Sequence, residues 1–205
     1  MNKIVYIMRG IPGSGKSTVA REITRSYPGQ FEGTDPETGV WVPGYVIHST
    51  DFLCMVDGEY QFDIELAGER HEQNFQNFLG SLEKGTPAII VDNTNVQTKH
   101  YAAYVEAAQA AEYAVVFVEL AHPDLDVATF RNTHGVSKEI INDMILAWEP
   151  SQHNAIVEDV NAAAEVVRRL QAREKFLVWF GFGVGACVSG LVVSLAWILW
   201  NASGG

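Results

Sequence analysis

The segment RGIPGSGKST, Arg9 to Thr18, constrains this chain more than any other stretch. It follows the apolar run KIVYIM and precedes the helical pattern VAREITRSY. Gly10, Gly15, Lys16 and Ser17 fill every fixed position of G-x-x-x-x-G-K-[ST]. Glycines here let backbone N–H groups turn inward around a phosphate without Cβ clashes. The helix that follows adds the positive end of its dipole. Lys16 is placed to reach the β- and γ-phosphates of a nucleoside triphosphate, and the Ser17 hydroxyl to ligate Mg²⁺. Pro12, Gly13, Ser14 and Thr18 complete the binding loop. A chance match to the pattern would lack the flanking strand and helix, and both are present here.

Four short apolar runs rich in β-branched residues read as buried strands: residues 3–8, 45–49, 87–92 and 113–120. Helical patterns lie between and after them, at about 16–26, 63–84, 98–112, 126–133 and 137–148. Strands alternating with helices predict an α/β fold, a four-stranded parallel sheet flanked by helices on both faces. The expected strand order is 2-3-1-4. The Gly- and Pro-rich stretch 28–44 is long for a connection and has the makings of a β-hairpin around TDPET.

Open α/β sheets bind ligands beyond the carboxyl ends of their strands. The second strand ends in HSTD and the third in VDNTN, which puts Asp51 and Asp92 on that edge. With the third strand beside the first, Asp92 falls next to the phosphates, where it would hold Mg²⁺ through water. Asp51 lies one strand further out, facing an acceptor hydroxyl whose proton a carboxylate would take during attack on the γ-phosphate. A plain helix cap is the alternative for Asp51, and a simple turn for Asn93, Thr94 and Asn95. FRNTHGVS, residues 130–137, follows the fourth strand. Arg131 within it is a candidate for neutralising charge on the transferring phosphoryl group, against a solvated helix-end arginine. His134 reads as a contact to the base or lid hinge, or as a turn histidine satisfied by backbone. His71 and Asn74 stand one helical turn apart, either toward an acceptor pocket or in ordinary packing.

The net charge of −11 is concentrated in residues 1–150, which hold 10 Lys and Arg against 21 Asp and Glu. That balance excludes a broad basic face for nucleic acid while leaving room for a local phosphate pocket. Two distant cysteines, Cys54 and Cys187, give neither a disulfide framework nor a C-x-x-C metal site. The N-terminal apolar run is too short for a signal peptide, so the phosphate-loop domain is expected in the cytoplasm. Residues 176–200 are 25 residues without a charge, roughly 37 Å as a helix and long enough to cross a bilayer. Arg168, Arg169, Arg173 and Lys175 precede the run, and Trp179, Trp197 and Trp200 lie near its ends. The expected organisation is a phosphate-loop domain over 1–150, an amphipathic helix or stalk over 151–175 and a transmembrane helix over 176–200. A short tail, 201–205, would follow. That is a single-pass tail anchor in a lipid bilayer, with small residues such as Gly181 and Gly185 suited to helix–helix self-association.

The pieces RGIPGSGKST, STDFL, GEYQFD, IIVDNTN and RNTHGVS occur in an order that resembles the polynucleotide-kinase-like branch of P-loop kinases. That branch includes the kinase domain of phage 5′-polynucleotide kinase and related ATP-binding domains of the AAA type. The resemblance covers roughly residues 3–149. It implies ATP and Mg²⁺, a four-stranded parallel core and phosphorylation of a hydroxyl. It also implies that Lys16 and Ser17 bind phosphate and metal, that Asp51 is the base and that Arg131 belongs to the lid. Two departures stand out. Cys54 occupies the place where the phage enzymes carry a phosphate-binding arginine, and DNTN replaces DTN, leaving Asp92 and Asn93 both open for the metal. The expected function is therefore a membrane-anchored, ATP-dependent kinase acting on a polynucleotide 5′ end or a nucleotide. A small-molecule kinase and a non-transferring nucleotide-binding module are the alternatives.

Overall fold

The structure, a computed structural model, describes residues 3–25, 33–34, 41–42, 44–150 and 154–157. Its elements run β1 (Ile4–Arg9), α1 (Lys16–Arg25), β2 (Gly33–Thr34), β3 (Trp41–Val42) and β4 (Tyr45–His48). A 3₁₀ turn (Thr50–Cys54) leads into β5 (Met55–Val56), β6 (Glu59–Tyr60) and α2 (Ala67–Lys84). Then come β7 (Ala88–Val91), a 3₁₀ turn (Thr98–His100), α3 (Ala102–Ala110) and β8 (Ala114–Leu120). The chain continues with α4 (Leu125–Arg131), α5 (Lys138–Leu146) and β9 (Asn154–Val157).

The main sheet has the order β4-β7-β1-β8-β9, with every neighbouring pair parallel. Its first four strands reproduce the expected 2-3-1-4 arrangement. The period of two along β1 divides its side chains between two cores. Ile4, Tyr6 and Met8 pack with Val19, Ala20 and Ile23 of α1. Val5 and Ile7 face Phe78 and Leu82 of α2 and Tyr104 and Ala108 of α3. Both faces being covered, β1 and β7 read as continuous apolar runs and every residue in them is buried. A smaller cluster of Ile11, Ala128 and Ile141 seats the α4–α5 pair against the phosphate loop.

A fifth strand adds to the four expected ones at the edge of the sheet. Residues 154–157 were expected to open an amphipathic helix, yet they run parallel to β8, opposite Phe117–Leu120. The edge of β8 would otherwise leave a row of backbone groups unpaired, and the segment satisfies it. Helical spacing over only four residues does not distinguish the two structures. The 28–44 stretch contains the antiparallel pair Gly33–Thr34 with Trp41–Val42, as its hairpin reading required. Helix α2 begins at Ala67 rather than 63, because the Asp63 carboxylate accepts from the Glu65 N–H and makes a local turn first. Among the described residues no helix is long and apolar enough to cross a membrane. The 176–200 run and most of the expected stalk lie outside the described residues.

His48 closes β4 in a buried position, its Nε2 3.0 Å from the Ser81 hydroxyl and its ring edge-on to Phe78. Burial, then the Lys84 charge, lowers its pKa to about 4. The unfolded chain therefore binds a proton at His48 near pH 6.5 that the folded chain refuses until about pH 4. The stability contributed by neutral His48 is complete above the unfolded value and falls as pH drops through this window, by about 3 kcal/mol at most. Urea unfolding of the wild type and His48→Gln across pH 7 to 4 should show a steeper acid loss in the wild type. Parallel profiles would refute it.

Candidate active site

The phosphate loop closes on itself through local backbone hydrogen bonds. Ser14 N donates to Ile11 O at 3.2 Å, and Thr18 and Val19 N donate to Gly15 O to start α1. Gly13 holds φ +77°, and a Cβ there would stand 2.2 Å from the carbonyl oxygen of Ala128. The loop is thus wedged against α4, and no other side chain fits at that point. Lys16 Nζ donates to Ile11 O at 3.1 Å, folding the ammonium over the loop. Burial lowers its pKa, and the carboxylates of Asp92 and then Asp51 act in the opposite direction. Lys16 therefore feels both strand-edge aspartates at once.

Asp92 is buried at the end of β7. Its Oδ1 has no hydrogen-bond partner, and neither does the buried Ser14 Oγ. Burial raises the Asp92 pKa, while Lys16, the Ser17 hydroxyl and Arg21 hold it down. An orphaned carboxylate oxygen beside a serine hydroxyl is a hard-donor pair that fits Mg²⁺. Among the described residues no group of three or more His, Cys, Asp or Glu gathers around a metal position. An ion at Ser17 and Asp92 would draw its other ligands from phosphate and water. Asn93 has a different task, since its Oδ1 accepts from Thr50 N at 3.0 Å. Together with Ser49 Oγ, which donates to Asp92 O at 2.9 Å, it fastens the end of β4 to the end of β7.

That fastening fixes the turn that carries Asp51. Its side chain is half-exposed, and Tyr60 OH donates to Oδ1 at 3.2 Å while His134 Nε2 stands 3.5 Å from Oδ2. The rings of Tyr60 and His134 meet at 4.4 Å between centroids. His71 Nδ1 lies 3.2 Å from the Thr50 hydroxyl, next to Asp51, whereas Asn74 is buried and donates to Tyr104 OH. The two do not share a pocket. Arg131 is the exposed last residue of α4. Cys54 is buried, and Arg70 from α2 reaches its Sγ at 3.4 Å and Gln61 O at 3.0 Å.

Sequence reasoning missed Arg9, the residue before the loop. It is wholly buried and donates to Glu119 at 2.7 Å, to Asn95 O at 2.9 Å, to Val96 O at 3.2 Å and to Glu149 O at 2.6 Å. Its guanidinium lies 4.5 Å from the Trp148 ring centroid and 5.1 Å from that of Tyr101. Burial raises the Glu119 pKa and Arg9 opposes it. One signal was available: Arg9 and Glu119 are register partners in neighbouring strands, opposite charges in two apolar runs.

The wedge at Gly13 yields a test. Gly13→Ala should weaken ATP binding at least tenfold by calorimetry, because the methyl group forces the loop and the 128 carbonyl apart. An unchanged affinity would show that the loop–α4 contact has no part in shaping the cradle.

Residues 5–133 match the family model described as an AAA domain. Human NEDD4-binding protein 2 is 37% identical over 149 residues, which span 69% of this chain and 7% of that protein. Rat 2′,3′-cyclic-nucleotide 3′-phosphodiesterase is 26% identical over 57% of this chain and 24% of its own length. Among solved structures, Chaetomium thermophilum Kti12 in complex with ADP-AlF3 superposes with a TM-score of 0.55. It shares 10% identity and covers 82% of this chain and 97% of that one. The Mycobacterium tuberculosis APS kinase CysC, in complex with AMPPNP and APS, gives 0.51 at 16% identity, over 83% and 98%. The chain belongs to the AAA domain family and has a P-loop kinase-like fold.

Proposed function

We propose that this protein is an ATP-dependent phosphotransferase that moves the γ-phosphate to a hydroxyl acceptor, with Asp51 as the base. The observation that carries the reading is the tie that brings the turn of Asp51 and the buried, unpartnered Asp92 carboxylate to the same strand edge as the phosphate loop, within reach of the Lys16 charge. The loop N–H groups and Lys16 hold the donor phosphates. Asp51 takes the proton of the attacking hydroxyl as its oxygen bonds to the γ-phosphorus; the bond to the β–γ bridging oxygen breaks, and ADP leaves. Lys16 and Arg131 offset the charge spread over the transferring group. Mg²⁺, held by Ser17 and Asp92, would neutralise phosphate charge when bound.

A polynucleotide 5′ end or a nucleotide is the acceptor that the ordered motifs favour. A specific observation supports a second reading, a small-molecule acceptor. The segment around Asp51 carries Asp57, Glu59, Asp63, Glu65 and Glu69, and its nearby cation, Arg70, is engaged with Cys54 and Gln61. A long polyanion would meet repulsion there. Label transfer from ATP with Mg²⁺ to a 5′-hydroxyl oligonucleotide, and to pools of small hydroxyl compounds, separates the two. Asp51→Asn should lower transfer at least a hundredfold with ATP affinity unchanged. Full transfer in that variant would refute Asp51 as the base, whereas ATP binding without transfer to any acceptor in the wild type would leave a nucleotide-binding module instead.

We further propose that residues 176–200 anchor the protein in a bilayer with the phosphate-loop domain on the cytoplasmic side. The uncharged span and the basic residues before it support this. In a flotation assay the full chain should rise with liposomes and a chain ending at 175 should stay in the dense fraction. Equal behaviour of the two would end the anchoring proposal.

A further inference from the structure

Two stretches that meet at Asp51 have no part in the chemistry described so far, GEYQFD with Tyr60 and NTHG with His134. Tyr60 stands on the β5–β6 hairpin, which is closed by the Gln61 N–H on Cys54 O at 2.8 Å. His134 stands on the turn between α4 and α5, shaped by Asn132 Nδ2 on Val136 O at 2.8 Å and His134 N on Asn132 Oδ1 at 3.1 Å. The Tyr60 hydroxyl donates to one carboxylate oxygen of Asp51, and the His134 imidazole stands over the other. These contacts differ in kind. The first is a hydrogen bond at 3.2 Å; the second, at 3.5 Å, is too long for one and can be exchanged.

We propose that Tyr60 and His134 are positioning residues for Asp51. The Tyr60 hydroxyl pins Oδ1 so that Oδ2 is the oxygen offered to the acceptor, and His134 covers Oδ2 until the acceptor hydroxyl takes its place. This rests on the reading of Asp51 as the base. Burial and the Asp51 charge push the Tyr60 phenol above its usual range, which keeps it a donor and never a competing acid. The ring contact between His134 and Tyr60 latches the α4–α5 turn to the acceptor hairpin, so covering Oδ2 and closing that turn are one event.

Two measurements on the full chain test this. Trypsin has exposed sites at Arg131 and Lys138, on either side of His134. Tyr60→Leu and His134→Gln should each speed cleavage at Arg131 about threefold, and the double variant should be no faster than either. Unchanged rates, or effects that multiply, would overturn the latch. Tyr60→Phe, which removes only the hydroxyl, should lower turnover of Mg²⁺-ATP about tenfold with KM for ATP unchanged. Either an oligonucleotide or water serves as acceptor in that assay. Wild-type turnover in Tyr60→Phe would overturn the pinning of Oδ1. If Asp51→Asn keeps its turnover, the base assignment fails by itself, and the proteolysis cycle still decides whether the latch exists.

Discussion

The site depends on a buried guanidinium. Arg9 ends β1 one residue before the phosphate loop, and its donors reach Glu119 at the end of β8, Asn95 and Val96 after β7, and Glu149 beyond α5. A charge taken out of water at this depth is tolerable only if each donor finds a partner. Here carbonyls and one carboxylate supply them, with Trp148 and Tyr101 alongside the cation. Stripping one partner from such a pair costs about 3–5 kcal/mol. The arrangement therefore fixes the loops after β7 and α5 against the ends of β1 and β8. Gly10 then starts the phosphate loop from a point already tied to Thr94 O.

A second layer of ties turns that fixed frame into a site. Asn95 adopts φ +48° and donates its side chain to Met8 O, so the loop after β7 folds back over β1. One residue earlier the backbone is held by Gly10, and one further back Asn93 holds the turn that carries Asp51. The VDNTN stretch is thus a set of spacers. Within it Asp92 keeps a carboxylate oxygen without a partner, while Ser49, Asn93 and Asn95 tie down the backbone around it. The division of labour between Asp92 and Asn93, open on residue type alone, follows from which atoms are already satisfied.

Much of this was legible in the sequence because its signals are local or periodic. The phosphate loop is a contiguous motif, and β1, β4, β7 and β8 are short, mostly apolar runs. Asp51 and Asp92 were legible through a rule about strand ends rather than through their neighbours. What stayed hidden was set by distant pairing. Arg9 looks like a loop residue until β1 and β8 are laid in register. The strand at 154–157 has a short apolar pattern that a helix shares, and only the open edge of β8 decides its structure. Asn74 and His71, one turn apart, diverge because the helix turns one toward Tyr104 in the core and the other toward Thr50.

The α4–α5 pair then lies between the phosphate loop and the turn that carries Asp51. On the phosphate-loop side, the carbonyl of Ala128 closes over Gly13, and the fully buried apolar residues of their shared cluster are Ile11, Ala128 and Ile141. On the other side, the turn between the two helices meets Asp51 and Tyr60 through His134. The main cores on the two sheet faces are larger, so this pair is held by the least apolar burial of any helical layer in the described residues. Elements with little buried apolar area open at lower free energy than the core they rest on. A layer in contact with both the phosphate loop and the Asp51 turn couples the two mechanically. Loosening it on one side must then alter the contacts it makes on the other.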